Sequence, residues 1–183
     1  MAVAGKPKER MVHRRKRCTD AARSALRPRR SLLWYMPNVL TQMPQARAFT
    51  MQTTVTLAAD GNGDEAGIAV MGHDYSALAL HRGAAGNELV LYRGKVTART
   101  AEGVAEEEGV LRLPFAGDTV TLRLYFEDGG TVHYAYELNG QETLLDGSFP
   151  AAKSTWSGAK PHCLPAIPAN KAGGQGRFGA VEL

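Results

Sequence analysis

The sequence predicts an all-β protein, an antiparallel β-sandwich, on three observations. Apolar and polar residues alternate with period two through the middle of the chain, as in strands with one buried face. Turn residues interrupt those stretches at short intervals, drawn from 20 glycines, 9 prolines and several Asn-Gly and Asp-Gly pairs. The sequence has neither an internal repeat nor a long amphipathic helical pattern.

The first clear strand covers Phe49–Leu57, where Phe49, Met51, Thr53, Val55 and Leu57 alternate with polar neighbours. The turn Asp60-Gly61-Asn62-Gly63-Asp64 follows, rich in residues that tolerate positive φ. Ala66–Gly72, Tyr75–Arg82, Glu88–Arg93 and Val110–Phe115 read as further strands. The strongest pattern lies in Thr119–Phe126 and Thr131–Leu138, with Asp128-Gly129-Gly130 between them. Asn139-Gly140 is the preferred two-residue hairpin pair and returns the chain through Glu142–Leu145. Short strands with a turn roughly every 8–12 residues argue for a sandwich or barrel.

Charge divides the chain. Residues 1–30 hold 11 of the 22 Lys and Arg but 2 of the 18 acids, which leaves 11 basic and 16 acidic residues, a net of −5, for the rest. This leader has no Phe, Tyr or Trp and cannot bury enough apolar surface to offset its ordering entropy. It is expected to be disordered. Phosphate contacts by its arginines would be the route to nucleic acid, but without aromatics for stacking we expect no such partner. Two cysteines, Cys18 and Cys163, make no disulfide framework. No stretch reaches the roughly 18 apolar residues of a membrane span, and no secretory apolar run occurs, so a cytoplasmic location is expected.

Four stretches resemble the concanavalin A-like, jelly-roll type sandwich found C-terminal to the catalytic propeller of family 43 β-xylosidases and arabinofuranosidases. They are Trp34 with Pro37-Asn38 and Leu40-Thr41-Gln42, the strand Phe49–Leu57, Ala66-Gly67-Ile68 running on to Asp74-Tyr75, and Trp156-Ser157-Gly158-Ala159-Lys160. They stand in the family's order across residues 31–160. The resemblance implies a non-catalytic ancillary domain of a xylan-degrading glycosidase whose partner is a catalytic β-propeller. It also implies a loop at the mouth of that propeller's active site, for which Gly158, Ala159 and Lys160 are the candidates.

Both ends depart from that pattern. Pro161, Pro165 and Pro168 fall within eight residues, and proline removes a ladder donor, so a central strand is not expected there. We read residues 1–30 and the tail 161–183 as encoded out of the family's frame, leaving the sandwich incomplete at its ends. A missing closing strand would expose a neighbour as an unpaired edge.

Glycoside hydrolysis needs two positioned carboxyl groups. The acids of this sequence, notably Asp64-Glu65 and Glu106-Glu107-Glu108, read as solvated turns between strands, so the chain alone is not expected to be an enzyme. Asp60, Asn62 and Asp64 match the first ligand positions of a calcium loop, but Glu65 replaces its turn glycine and Met71 its bidentate Glu. We expect no metal and no cofactor. His81 and His133 read as exposed strand residues. The alternative function is a stand-alone lectin-like module that stacks xylo-oligosaccharide on Tyr75, Tyr92, Tyr125 and Trp156.

Overall fold

The computed structural model describes residues 33, 40–41, 46–96, 105–151, 160–168 and 175–179, with backbone alone for 40–41, 105, 160–168, 175 and 177. Twelve strands are described: β1 (Leu40–Thr41), β2 (Phe49–Ala58), β3 (Asp64–Met71), β4 (Asp74–Gly83), β5 (Gly86–Val96), β6 (Ala105–Pro114), β7 (Thr119–Phe126), β8 (Thr131–Leu138), β9 (Gln141–Leu144), β10 (Phe149–Pro150), β11 (Lys160–Pro168) and β12 (Gln175–Phe178). They form two antiparallel sheets. The first has the order β1-β11-β3-β4-β5-β6 and the second β10-β8-β7-β2-β12, with β9 beside β8. Among the described residues no helix is long and apolar enough to cross a membrane.

Where alternation is clean, strand and sequence pattern coincide. The bounds of β7 and β8 are those that the alternation predicts. The β8–β9 hairpin turns on Asn139 at φ 54° and Gly140 at φ 79°, two left-handed residues in a row, as a tight hairpin in a right-twisted ribbon requires.

The proline-rich stretch corrects the sequence reading. Lys160–Pro168 is β11, paired along β3 from Lys160↔Met71 to Pro168↔Asp64. Three features let prolines sit there. The pairing shifts register between Leu164 and Ile167, so Pro165 lies in an irregularity rather than a regular ladder. Pro161 and Pro168 are near the ends of the strand. On its far side, among the described residues, β11 meets β1 at Cys163 and His162 alone, so it behaves there largely as an edge. β12 likewise pairs β2 over Val55–Ala58. The bare edge expected from a missing closing strand is therefore partly covered.

The inward residues of both sheets make one core. Ala66, Ile68 and Val70 of β3, Leu78 and Leu80 of β4, and Leu89 and Leu91 of β5 face Met51, Val55 and Leu57 of β2, Val120, Leu122 and Leu124 of β7, and Val132 of β8. Each such side chain contributes about 1.5–3 kcal/mol by leaving water. One polar link crosses this core. The Tyr134 hydroxyl donates to the Ser76 carbonyl at 2.9 Å, which leaves the Ser76 hydroxyl to donate to Tyr134 Oη at 2.8 Å. Both residues are buried, and burial pushes the Tyr134 hydroxyl well above the usual phenol range.

Tyr134→Phe would leave the Ser76 hydroxyl without its acceptor in a dry core and should lower stability by about 1–3 kcal/mol in urea unfolding. Ser76→Ala keeps the carbonyl to which the tyrosine donates and should cost less, about 0.5–1.5 kcal/mol. The double variant should cost less than the sum of the two; strict additivity would disprove the coupling.

Candidate functional site

The outward face of the first sheet is unusually closed. Antiparallel sandwiches commonly leave that face to solvent, yet Ala69, Tyr75, Ala77, Ala79 and Val90 are all buried. Small residues on β3 to β6 make this possible, because they leave space for two tyrosines to lie along the sheet. Tyr75 stands opposite Gly94 in the β4–β5 register, and a Cβ on Gly94 would fall 2.0 Å from its ring carbon Cζ. The ring therefore occupies the place of a side chain that glycine lacks. Its hydroxyl donates to Glu107 Oε2 at 2.8 Å, and the Leu33 amide donates to the same oxygen at 3.0 Å.

Glu107 reaches this face because β6 carries a bulge. Leu91 pairs with Leu111, but Tyr92 pairs with Gly109, so Val110 is an extra residue. The bulge changes the phase of the alternation. Leu111 and Leu113 pack on the core, whereas Glu107, also odd-numbered, emerges opposite Gly94 on the outer face. Burial raises the Glu107 carboxyl above the usual carboxylate range, against the lowering effect of its two hydrogen bonds.

A second polar group sits at the other end of the same face. Glu65 Oε2 accepts from the Tyr92 hydroxyl at 2.7 Å and from His81 Nδ1 at 3.2 Å. His81 Nε2 lies 3.8 Å from Glu88 Oε1, which Arg112 also reaches. Burial first, then the adjacent Glu65, pushes the Tyr92 hydroxyl far above its ordinary value. Asp64 is buried and caps the β2–β3 turn, accepting from the amides of Asp60 at 2.9 Å and Gly61 at 3.2 Å. Two sequence readings are thereby corrected: Asp64-Glu65 and Glu106-Glu107-Glu108 lie in strands rather than solvated turns, and His81 is half-buried between glutamates. Among the described residues no three His, Cys, Asp or Glu side chains are grouped to hold a metal.

The three tyrosines proposed for sugar stacking do not form one exposed surface: Tyr75 and Tyr92 lie on the outward face of the first sheet and Tyr125 on the second. Tyr75 is fully buried under its own sheet's cover and offers no face to a ligand. Tyr92 is half-buried on the same side. Tyr125 is on the outward face of the second sheet, paired across strands with Thr50 and His133. Trp156, Gly158 and Ala159 lie outside the described residues, and Lys160 is placed only as the first residue of β11. Glu65 and Glu107 were missed as partners of tyrosine because register, not sequence spacing, brings them together.

Two outcomes test this arrangement. Gly94→Ala should displace Tyr75 and cost about 3 kcal/mol, read as a lowered urea midpoint. For Glu107, a folded-state pKa raised above the unfolded value means that stability present at low pH is lost as the carboxyl ionises. Glu107→Gln should thus melt higher than the parent at pH 7, and this gain should vanish as pH falls towards 4. A gain that grows on acidification would refute the assignment.

Comparisons with known proteins agree with this architecture. A structure of the bifunctional GH43-CE protein of Bacteroides eggerthii superposes with a TM-score of 0.66 at 13% identity, covering 84% of this chain and 21% of that one. A family 43 glycoside hydrolase engineered for both endo-xylanase and exo-arabinofuranosidase activity gives 0.70 at 13% identity, covering 84% of this chain and 32% of that one. The xylan β-1,4-xylosidase of Bacillus halodurans C-125 gives 0.61 at 12% identity, covering 80% and 30%. The chain thus spans between a fifth and a third of these longer proteins, and at such identities the likeness concerns the fold. No curated protein sequence matches the chain. Residues 25–160 match the family described as the β-xylosidase C-terminal concanavalin A-like domain. The chain belongs to that family of C-terminal β-sandwich domains.

Proposed function

We propose that this chain acts as the non-catalytic ancillary sandwich of a xylan-degrading glycoside hydrolase, packed on a catalytic β-propeller. The observation that carries this reading is the family match across residues 25–160, supported by folds shared with longer family 43 enzymes. The chemistry of the described carboxylates points the same way. Glycosidic cleavage calls for two carboxyl groups facing an open sugar site, one to give a proton and one to attack or activate water. Glu65 and Glu107 instead have oxygens occupied by tyrosine hydroxyls on a covered face. In this reading the segment Gly158-Ala159-Lys160 approaches the mouth of the propeller's active site.

The purified chain should give no turnover of aryl β-xylosides or arabinofuranosides above buffer. Added to a family 43 propeller expressed without its sandwich, it should raise the melting temperature of the propeller. Hydrolysis by the chain that survives repurification and disappears on replacing one Asp or Glu would overturn the proposal. So would the absence of any effect on every propeller tested.

A further inference from the structure

The two outward faces of the sandwich differ in kind. On the first sheet the tyrosines are tucked down and their hydroxyls occupied, but on the second an open groove of about 750 Å³ remains. Its floor includes Thr50, Tyr125 and His133, which stand side by side on β2, β7 and β8. Leu144 of β9, 59% exposed, also lines it, as do Phe49 and Phe126, the strand residues next to Thr50 and Tyr125.

The ring of Tyr125 is held in place before any ligand arrives. Its hydroxyl donates to Glu142 Oε1 at 2.7 Å, and Glu142 is also paired with Arg123. Arg123 in turn donates to Gln52 at 2.7 Å and to Glu137. The Tyr125 hydrogen bond, together with Arg123, holds the Glu142 carboxyl below the usual range, so it stays an acceptor. Carboxylates prevail in the groove: Glu127, Asp128 and Glu142 line it, Arg123 is shared between Glu142 and Glu137, and His133 Nε2 faces Glu127 Oε1 at 3.4 Å. Such a site repels anions and is rich in acceptors for hydroxyl donors. It offers an aromatic face, an exposed aliphatic wall, and directional acceptors and donors at Glu127, Asp128, Glu142 and His133.

We infer that this groove binds a neutral saccharide, with a sugar ring laid on Tyr125 and against Leu144. The apolar C–H face of a pyranose matches the ring, while its hydroxyls can donate to the carboxylates and accept from His133. A volume of about 750 Å³ suits a ligand of a few sugar units, within the range of small-molecule sites. The choice of xylan as the probe rests on the proposed family role; the preference for an uncharged over an acidic sugar rests on the carboxylates of the groove.

The test is calorimetric titration of the full chain with xylohexaose, cellohexaose, an oligogalacturonate and a lysine-rich peptide. Saturable binding of at least one neutral oligosaccharide is expected, with the anionic sugar unbound. Tyr125→Ala should weaken binding about tenfold, whereas Tyr125→Phe keeps the ring and should lose about threefold or less. Leu144→Ser, on an exposed side chain that the fold does not need, should also weaken it. No binding of neutral sugars at millimolar concentration, binding unchanged by both Tyr125→Ala and Leu144→Ser, or capture of the peptide or the acidic sugar alone would each overturn the inference. Binding of cellohexaose but not xylohexaose would support the groove and count against the xylan role. Because no propeller is present, this result is independent of the association test above.

Discussion

A tyrosine ring can lie flat on a sheet only where the facing strand supplies no side chain, and Tyr75 over Gly94 meets that condition. Much of the first sheet depends on it. The ring covers the outward side of strands whose inward side already forms the core, so β4 is buried on both faces from Tyr75 to Leu80. Its hydroxyl draws Glu107 under cover, and that carboxylate in turn receives the amide of Leu33. Leu33 then packs with Ala69, Tyr75 and Ala77 as a second, smaller apolar cluster outside the sandwich. Without a glycine at 94 each of these contacts would lose its support.

The sequence was most informative where one face of a strand is buried and the other is wet. β7 and β8 satisfy that condition, and their limits could be read from alternation alone. β3 and β4 are apolar on both faces, so they read as plain apolar runs without a direction. β6 was half legible: Val110–Phe115 was visible, but the bulge at Val110 breaks the period, and Ala105–Gly109 was taken for a loop. β11 was obscured by its prolines, which an irregular, sparsely paired strand accommodates. For the candidate sites, residue types were a poor guide. Of four aromatics chosen for stacking, Tyr75 is buried and Tyr125 faces the groove, a difference set by which strands neighbour each one.

The domain thus divides its labour between two faces. One is sealed by aromatics, small residues and internally paired acids, and it stiffens the sheet it covers. The other is polar, carrying threonine pairs such as Thr54–Thr121 at 2.9 Å and Thr56–Thr119 at 3.0 Å alongside the Arg123 network.

The bulge in β6 has a further consequence for how these molecules behave in a crowd. Among the described strands β6 is the outermost at one margin of the first sheet and, at ten residues, a long one. A flat margin of that length would offer another chain an unbroken row of free amides and carbonyls. Val110 interrupts the row near its middle, glutamates and Arg112 stand along it, and Pro114 ends it without a donor. An incoming strand would find a short, twisted and charged stretch on either side of the break. The same extra residue that carries Glu107 outward therefore keeps the sheet from growing into its neighbours.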